Sequence, residues 1–460
     1  MHPGKGVSDE PAVVWFRRDL RLEDNPAWAA ATATHRSVIA LFVVEPELFR
    51  TASSLRRDQL VAHLHALHDE LADLGGGLVV RTGPARIAVP QVLDETAATG
   101  LFLNDDVTPF AHNRDIATLK RVAVPVHRYD GLFVHAPQRI LTNKGTLSQV
   151  FTPFYNRWIE TALTPWPEPG PGQPQVIRTD RLPAAGTAPQ RPGTQGAWAR
   201  LRSWLDQIAD YPATRDFPAI DGTSQLSADL KFGTIAARTI LEAAGDSTPG
   251  HRAFVRQLAW RDWWAHTLAQ HPDLPDAALR PDYDRIVWRH DDRAFAAWAD
   301  GNTGFPIVDA GMRQLVSTGW MHNRVRMITA SFLVKDLLID WRRGERFFRH
   351  HLVDADVAQN AGNWQWIAGT GPDAAPYFRV FNPTTQGIKF DPAGEYVRRW
   401  APELARLSND KIHHPAKAAP LDLAAAGVIL GDTYPEPIVD HAQARERVLA
   451  AYKVALGGPD

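Results

Sequence analysis

Asp354-Ala355-Asp356-Val357-Ala358-Gln359-Asn360-Ala361-Gly362-Asn363-Trp364-Gln365-Trp366 gathers two carboxylates, four amides and two indoles in thirteen residues. Asp356 and Asn360 stand one helical turn apart, with Trp364 a further turn on, so a helix would align them on one face. The carboxylates suit ribose hydroxyls, a ring N–H or a neighbouring arginine such as Arg326. Asn360 offers an amide to a ring nitrogen. A metal would want more ligands than this spacing supplies. A helix end with a break at Gly362 explains any one of these residues, but not their gathering.

Upstream, Trp320-Met321-His322-Asn323-Arg324-Val325-Arg326-Met327 reads as a helical segment with Asn323 beside Arg326 and Met327. From Arg313 to His351 there are eight Lys/Arg against three Asp/Glu. That is either a solvated face or a basic patch suited to phosphates. Gln257 and Trp260 share a helical face, either as a pair that reads and stacks on a base or as part of a helix buried by its aromatics. Gly222-Thr223-Ser224-Gln225-Leu226-Ser227 precedes a helix, where small hydroxyl residues serve as N-caps or frame an anion site. From Ala197 to about Leu407 the pattern is helical throughout.

The first part of the chain differs. Short apolar runs at Ala12–Phe16, Ser37–Val44, Leu78–Arg81, Leu101–Asn104 and Pro125–Tyr129 alternate with helical patterns, which predicts a parallel sheet covered by helices. Leu60, Leu64, Leu67, Leu71 and Leu74 form one apolar stripe. His63, His65 and His68 fall mostly off it and are assigned to a solvated face. Gly75-Gly76-Gly77 ends a helix before a strand, the wrong order for a dinucleotide fingerprint. No GxxxxGK[ST] loop is present. The prolines and glycines of Pro165–Gly193 mark a surface linker. The predicted organisation is an α/β domain over residues 11–131, a linker over 132–196, an all-α domain over 197–407 and a partly helical tail over 408–460.

Composition narrows the chemistry. The 460 residues contain no cysteine, which excludes disulfides, Cys-ligated metal and thiol catalysis. No apolar run approaches the roughly 18 residues of a membrane span, and Met1–Pro11 lacks a signal-peptide core, so the expected location is cytoplasmic. The formal net charge of −2 demands a local patch for any contact with nucleic acid. Twelve of the 16 tryptophans lie at or after Trp198, either as extra core packing or as indoles that stack on ligands or carry electrons.

Taken together these segments resemble the photolyase/cryptochrome family of flavoproteins. Val14-Trp15-Phe16-Arg17-Arg18-Asp19-Leu20-Arg21 with Asp24-Asn25-Pro26 is similar to that family's first strand and turn. Gly222–Ser227, Trp260-Arg261-Asp262, Trp320–Met327, Asp354–Trp366 and Phe381-Asn382-Pro383-Thr384-Thr385-Gln386-Gly387 follow in the family's order. Trp320–Arg324 and the asparagine at 323 look most like the subfamily that repairs cyclobutane pyrimidine dimers. The resemblance implies an α/β N-terminal parallel-sheet (Rossmann-like) antenna domain plus a large all-α FAD-binding domain.

It also implies roles. Tyr211, Thr223, Ser224, Gln225, Leu226 and Ser227 would hold the phosphate and ribitol side of FAD. Asn323, Arg326, Asp354 and Asp356 would hold its ribose and isoalloxazine, with Asn360 facing the flavin nitrogen that gains a proton on reduction. Trp364, Trp341 and Trp288 match a chain of tryptophans that carries an electron inward. Gln257, Trp260, Met327 and Trp366 would line the pocket for a lesion flipped out of UV-damaged DNA. Asn323 helps set the substrate, and Arg215, Arg324, Arg379 and Gln386 match positions near the DNA backbone. Asp106 and Lys231 are similar to residues of members whose antenna pigment is 8-hydroxy-5-deazaflavin. Methenyltetrahydrofolate fits less well, because Asp276 stands where folate binders carry a lysine; an empty antenna site is the third option. The expected enzyme is a light-driven deoxyribodipyrimidine photo-lyase acting as a monomer, and the rival is a cryptochrome-type photoreceptor. Gln257 departs from the glutamate usual in dimer-repairing relatives, which implies reduced repair efficiency.

Overall fold

The computed structural model describes residues 7–184, 186–374 and 376–457. It divides into two compact units, one of residues 1–209 with 224–272, the other of 210–223 with 273–460.

The first unit carries a parallel sheet. β1 (Ala12–Phe16), β2 (Ser37–Val44), β3 (Leu78–Thr82), β4 (Gly100–Asn104) and β5 (Val126–Tyr129) lie in the order β3-β2-β1-β4-β5. All five residues of β1 and of β4 are buried, as expected of strands covered on both faces. Helices α1 (Pro26–Thr34), α2 (Ser54–Asp73), α3 (Ala85–Thr96) and α4 (Pro109–Leu119) connect the strands. Further along come α5 (Phe151–Glu160), α6 (Ser227–Phe232) and α7 (Pro249–Gln270). Strand order reverses between β1 and β4, so the crevice beyond their C-terminal ends is where such a sheet takes a ligand.

Two expectations for this unit need correction. The Pro-rich stretch does more than run over the surface: β6 (Gln173–Pro174) pairs in parallel with β2. Beyond it, the Asp180 N–H donates to the Val80 carbonyl (2.9 Å). The segment thereby satisfies edge groups that β2 and β3 would otherwise expose, at a position where proline's missing N–H does no harm. The histidines of α2 are not a solvated face. His63 is 1% exposed, and its Nδ1 accepts from the Gly193 N–H (3.0 Å). His65 Nε2 meets the Pro183 carbonyl (3.0 Å), and His68 Nδ1 accepts from the Leu78 N–H (3.1 Å). A second layer of chain covers that side of α2, and a leucine stripe reports only the first buried face.

The second unit is helical. Its elements include α8 (Pro306–Thr318), α9 (Asn323–Ser331), α10 (Trp341–His351), α11 (Val357–Ala368), α12 (Pro383–Phe390) and α13 (His441–Ala455). A π-helical turn, Phe332–Asp336, joins α9 to the segment before α10. It buries Lys335, whose Nζ donates to the carbonyl of Ala368 (3.0 Å), the last residue of α11. The Tyr452 hydroxyl of α13 donates to the same carbonyl (2.7 Å). The C-terminus of α11 is thus held by a cation and a phenol, both suited to its unpaired carbonyls.

Burial pushes the His63 imidazole down to about 3 and that of His266 to about 4. Both folded values lie below the unfolded one of about 6.5, so the unfolded chain binds more protons in between. Stability should therefore be full above pH 6.5 and fall towards pH 4, by at most about 1.4 kcal/mol per pH unit for each histidine. His63→Gln should make the acid-side decline of the urea midpoint shallower; an unchanged decline would show that His63 is not a buried neutral group.

Candidate functional site

α9 and α11 build the centre of the second unit. His322 caps α9, its Nδ1 accepting from the Arg324 N–H (3.1 Å), and burial pushes its imidazole down to about 4. One turn along, Arg326 reaches Asp354 with two parallel bonds (Nη1–Oδ1 3.2 Å, Nη2–Oδ2 2.8 Å). The Asp354 side chain is 3% exposed and that of Arg326 25%. Asp356 is the N-cap of α11, accepting from the Gln359 N–H (3.1 Å). The helix does not break at Gly362 but runs to Ala368, where Gly369 takes the left-handed conformation (φ +82°). Asn323 and Arg326 lie on α9, Asn360 on α11 and Asp356 at its N-cap, with Asp354 just before it and bonded to Arg326; the Asn323 amide lies 3.8 Å from the Met327 sulfur.

Asn360 is engaged by a residue that the sequence reading missed. Its Nδ2 donates to the backbone carbonyl and to Oε1 of Glu345 on α10, both at 2.9 Å. Both partners are acceptors, so the nitrogen end of the amide must face Glu345. Its oxygen then points away, and it has no partner among the described residues. Glu345 is fully buried, and burial pushes its carboxyl up, with Arg349 opposing. The available signal was a lone carboxylate one turn beyond Trp341 within a basic segment.

The predicted tryptophans are graded in exposure. Trp364 and Trp341 are buried, whereas Trp288 is partly exposed and meets Tyr452 edge-on (6.2 Å between centroids). Trp364 also packs against Phe348 (5.0 Å) and Trp298 (6.3 Å). A Cβ on Gly344 would lie 2.2 Å from the Trp364 ring, so only glycine admits the indole. Trp366 and Met327 are partly buried.

The basic segment is not a free phosphate patch. Arg313 pairs with Glu403, Arg324 with Asp216, Arg342 with Asp284 and Asp340, and Arg343 with Asp292. Lys335 is buried. The cations sit on different elements, and most are committed to carboxylates, which a count along the chain does not reveal. Arg324 also lies over the Phe390 ring (4.3 Å) and Arg215 over that of Tyr211 (5.4 Å). Arg379 is exposed and Gln386 on α12 partly so.

The boundary between the units falls between Thr223 and Ser224. In the first unit, Gln225 takes φ +51°, and Leu226 at the N-cap of α6 makes no side-chain capping bond. The Ser224 hydroxyl accepts from the Leu226 N–H (3.5 Å) at the start of this helix. Gln257 and Trp260 lie on α7 and are both partly buried; the Gln257 amide donates to the Ala253 carbonyl (3.2 Å). At the strand-order reversal, Arg18 donates to Asp106 (3.3 Å) and to the Lys231 carbonyl (3.3 Å), joining the two candidate antenna residues. Burial works to raise the Asp106 carboxyl, but Arg18 and Arg17 prevail and hold it below the usual range. Asn104 serves the fold instead, donating to Asp19 and Asn25 inside a buried network.

Two family models match the chain: DNA photolyase over residues 12–171, and FAD binding domain of DNA photolyase over residues 254–454. The deoxyribodipyrimidine photo-lyase of Escherichia coli (strain K12) is 40% identical, over 97% of this chain and 99% of its own. The chain belongs to the DNA photolyase family. Among solved structures, the class III photolyase of Agrobacterium tumefaciens superposes with a TM-score of 0.90 at 38% identity, over 99% of both chains. A Synechocystis cryptochrome gives 0.87 at 28%, over 97% of this chain and all of its own.

The residues fit the FAD that a photolyase carries. The Asn360 amide, its nitrogen taken by Glu345, leaves an oxygen that suits a ring N–H donor, and the Arg326–Asp354 pair joins α9 to the segment that leads into α11. Gly344→Ala should lower the thermal midpoint, with a loss of about 1–3 kcal/mol from overpacking against Trp364. An unaltered midpoint would mean that the indole moves aside at no cost.

Proposed function

We propose that the chain is a deoxyribodipyrimidine photo-lyase that uses blue light and FAD to repair cyclobutane pyrimidine dimers in DNA. The observation that carries this reading is the Asn360 amide on α11, whose nitrogen is taken by Glu345 so that its oxygen is left for a ring N–H, together with the Arg326–Asp354 pair formed just before that helix. FAD held by these residues would, when reduced and excited by light, supply the electron needed to split the two carbon–carbon bonds of the cyclobutane ring and take it back afterwards, so that no net redox change results.

The chain's own residues supply position and electrostatics. Asn323, Arg326, Asp354, Asp356 and Asn360 hold the ribose and ring side of the cofactor. Tyr211 and Thr223 of the second unit, and Ser224 to Ser227 of the first, hold its phosphate and ribitol side. Trp288, Trp341 and Trp364 carry an electron from the partly exposed end inward. Asn323, Met327 and Trp366, and on the first unit Gln257 and Trp260, take a lesion flipped out of the duplex. Unstacking costs a few kcal/mol and least for a damaged base, so part of the selectivity precedes any contact. Arg215, Arg324, Arg379 and Gln386 serve the DNA backbone; Arg324 must exchange Asp216 for phosphate. Gln257 keeps an amide where a carboxyl would donate a proton, and lowers repair efficiency without changing the substrate.

An antenna pigment occupies the crevice beyond β1 and β4, against Asp106, Arg18 and Lys231, with 8-hydroxy-5-deazaflavin the first choice. The enzyme acts as a monomer in the cytoplasm. Among the described residues no helix is long and apolar enough to cross a membrane. The cryptochrome reading ranks second, since that structure is 28% identical against 38% for the Agrobacterium photolyase.

The test is illumination of the reduced protein with a dimer-containing oligonucleotide. Intact thymines should appear under blue light and not in the dark; lesions that persist despite bound FAD would contradict the reading. In a parallel arm, Trp364→Phe should block light-driven reduction of the oxidised cofactor yet leave repair by chemically reduced protein largely intact. Equal photoreduction in variant and parent would show that Trp364 is not on the electron path.

A further inference from the structure

Phe151, the first residue of α5, has no assigned role, yet it stacks closely on one of the residues read as lesion-contacting. Its ring lies parallel to the Trp260 indole, with centroids 3.7 Å apart and planes 9° apart. Phe151 is 1% exposed, whereas Trp260 is only partly buried. One face of the indole is therefore covered by a fixed ring.

The fixed ring is itself well held. Trp263 meets Phe151 edge-on (5.8 Å, 68°) and meets Trp260 in the same way (5.1 Å, 77°). The Arg256 guanidinium lies 4.9 Å from the Phe151 centroid and donates to the Thr152 hydroxyl (3.3 Å). One helical register further on, Trp158 of α5 donates its indole N–H to Asp262 of α7 (2.8 Å). Asp262 is buried and also accepts from the His135 N–H (3.0 Å). This bond pins α5 to α7 two residues from Trp260, so Phe151 cannot slide off the indole without breaking a buried carboxylate contact.

The χ2 torsion of tryptophan is broad, so a half-buried indole without a backing ring would sample many planes. A base that stacks on it must then pay for ordering the side chain. A parallel ring beneath the indole removes that cost before the ligand arrives. We propose that Phe151 is a positioning residue that fixes the plane of Trp260, so that its accessible side is set to stack on a damaged pyrimidine flipped out of DNA. This rests on the photo-lyase reading, and within it on Trp260 as a lesion-contacting residue.

The test compares Phe151→Leu, Phe151→Tyr and Trp260→Ala as FAD-loaded full-length proteins. The readouts are Kd for an oligonucleotide with one thymine dimer, Kd for its undamaged twin, and repair per photon absorbed by the bound complex. Phe151→Leu conserves most of the volume but removes the flat face. It should weaken dimer binding about three- to tenfold and leave undamaged binding and repair within the complex unchanged. Phe151→Tyr, which keeps the ring, should bind as the parent does. Should Phe151→Leu fail to fold, Phe151→Met carries the same expectation. If Trp260→Ala weakens dimer binding and Phe151→Leu does not, the platform role is overturned while the lesion reading stands. Equal losses on damaged and undamaged DNA would also overturn it, leaving Phe151 a packing residue. If Trp260→Ala leaves dimer binding unchanged, the lesion role of Trp260 fails, and the proposal with it.

Discussion

The bidentate pair between Arg326 and Asp354 is the constraint on which the candidate site depends. It joins Arg326 of α9 to the residue three before the start of α11. Asp354 is nearly fully buried, and a buried carboxylate that loses its partner costs about 3–5 kcal/mol, less here because Arg326 is a quarter exposed. With the pair in place, the side chains of α9 and α11 are held in register. The Asn360–Glu345 bonds then add α10, and the packing of Trp364 over Gly344 joins α10 and α11 on their apolar side. Polar and apolar contacts thus hold one another in place: Gly344 makes room for the indole one residue before Glu345, which fixes the amide.

Much of this was legible in the sequence, for identifiable reasons. Strands buried on both faces are continuous apolar runs, and the five main strands fall within a residue of their predicted bounds. The i, i+4 spacing from Asp356 to Trp364 was read correctly because helical geometry is local. For the two carboxylates the sequence left ribose hydroxyls, a ring N–H and Arg326 open as partners; in the fold Asp354 pairs with Arg326.

What escaped depends on contacts between distant segments. Glu345 lies in a strongly charged stretch, and only the tertiary fold buries it against Asn360. His63 falls off the leucine stripe, yet residues near Gly193, far along the chain, cover it. The eight cations near α9 and α10 form one run in sequence but scatter over several elements, and most of them are paired with carboxylates from elsewhere in the chain. Residues Gln173–Pro174 add to the sheet only because β2 leaves an edge open there. In each case local pattern was correct as far as it went, and a second layer of structure decided the outcome.

Function follows from the same hierarchy. A sheet whose strand order reverses at β1 and β4 leaves a crevice beyond its strands, and helices joined by one ion pair form the frame proposed for the flavin. The most direct test of that frame is a double-mutant cycle with Arg326→Gln and Asp354→Asn, reading FAD retained per polypeptide after gel filtration. Each single change should lower retention, and the double variant should lose little more than either one, since the two residues act as one contact. Strictly additive losses would show that the pair does not hold the site together.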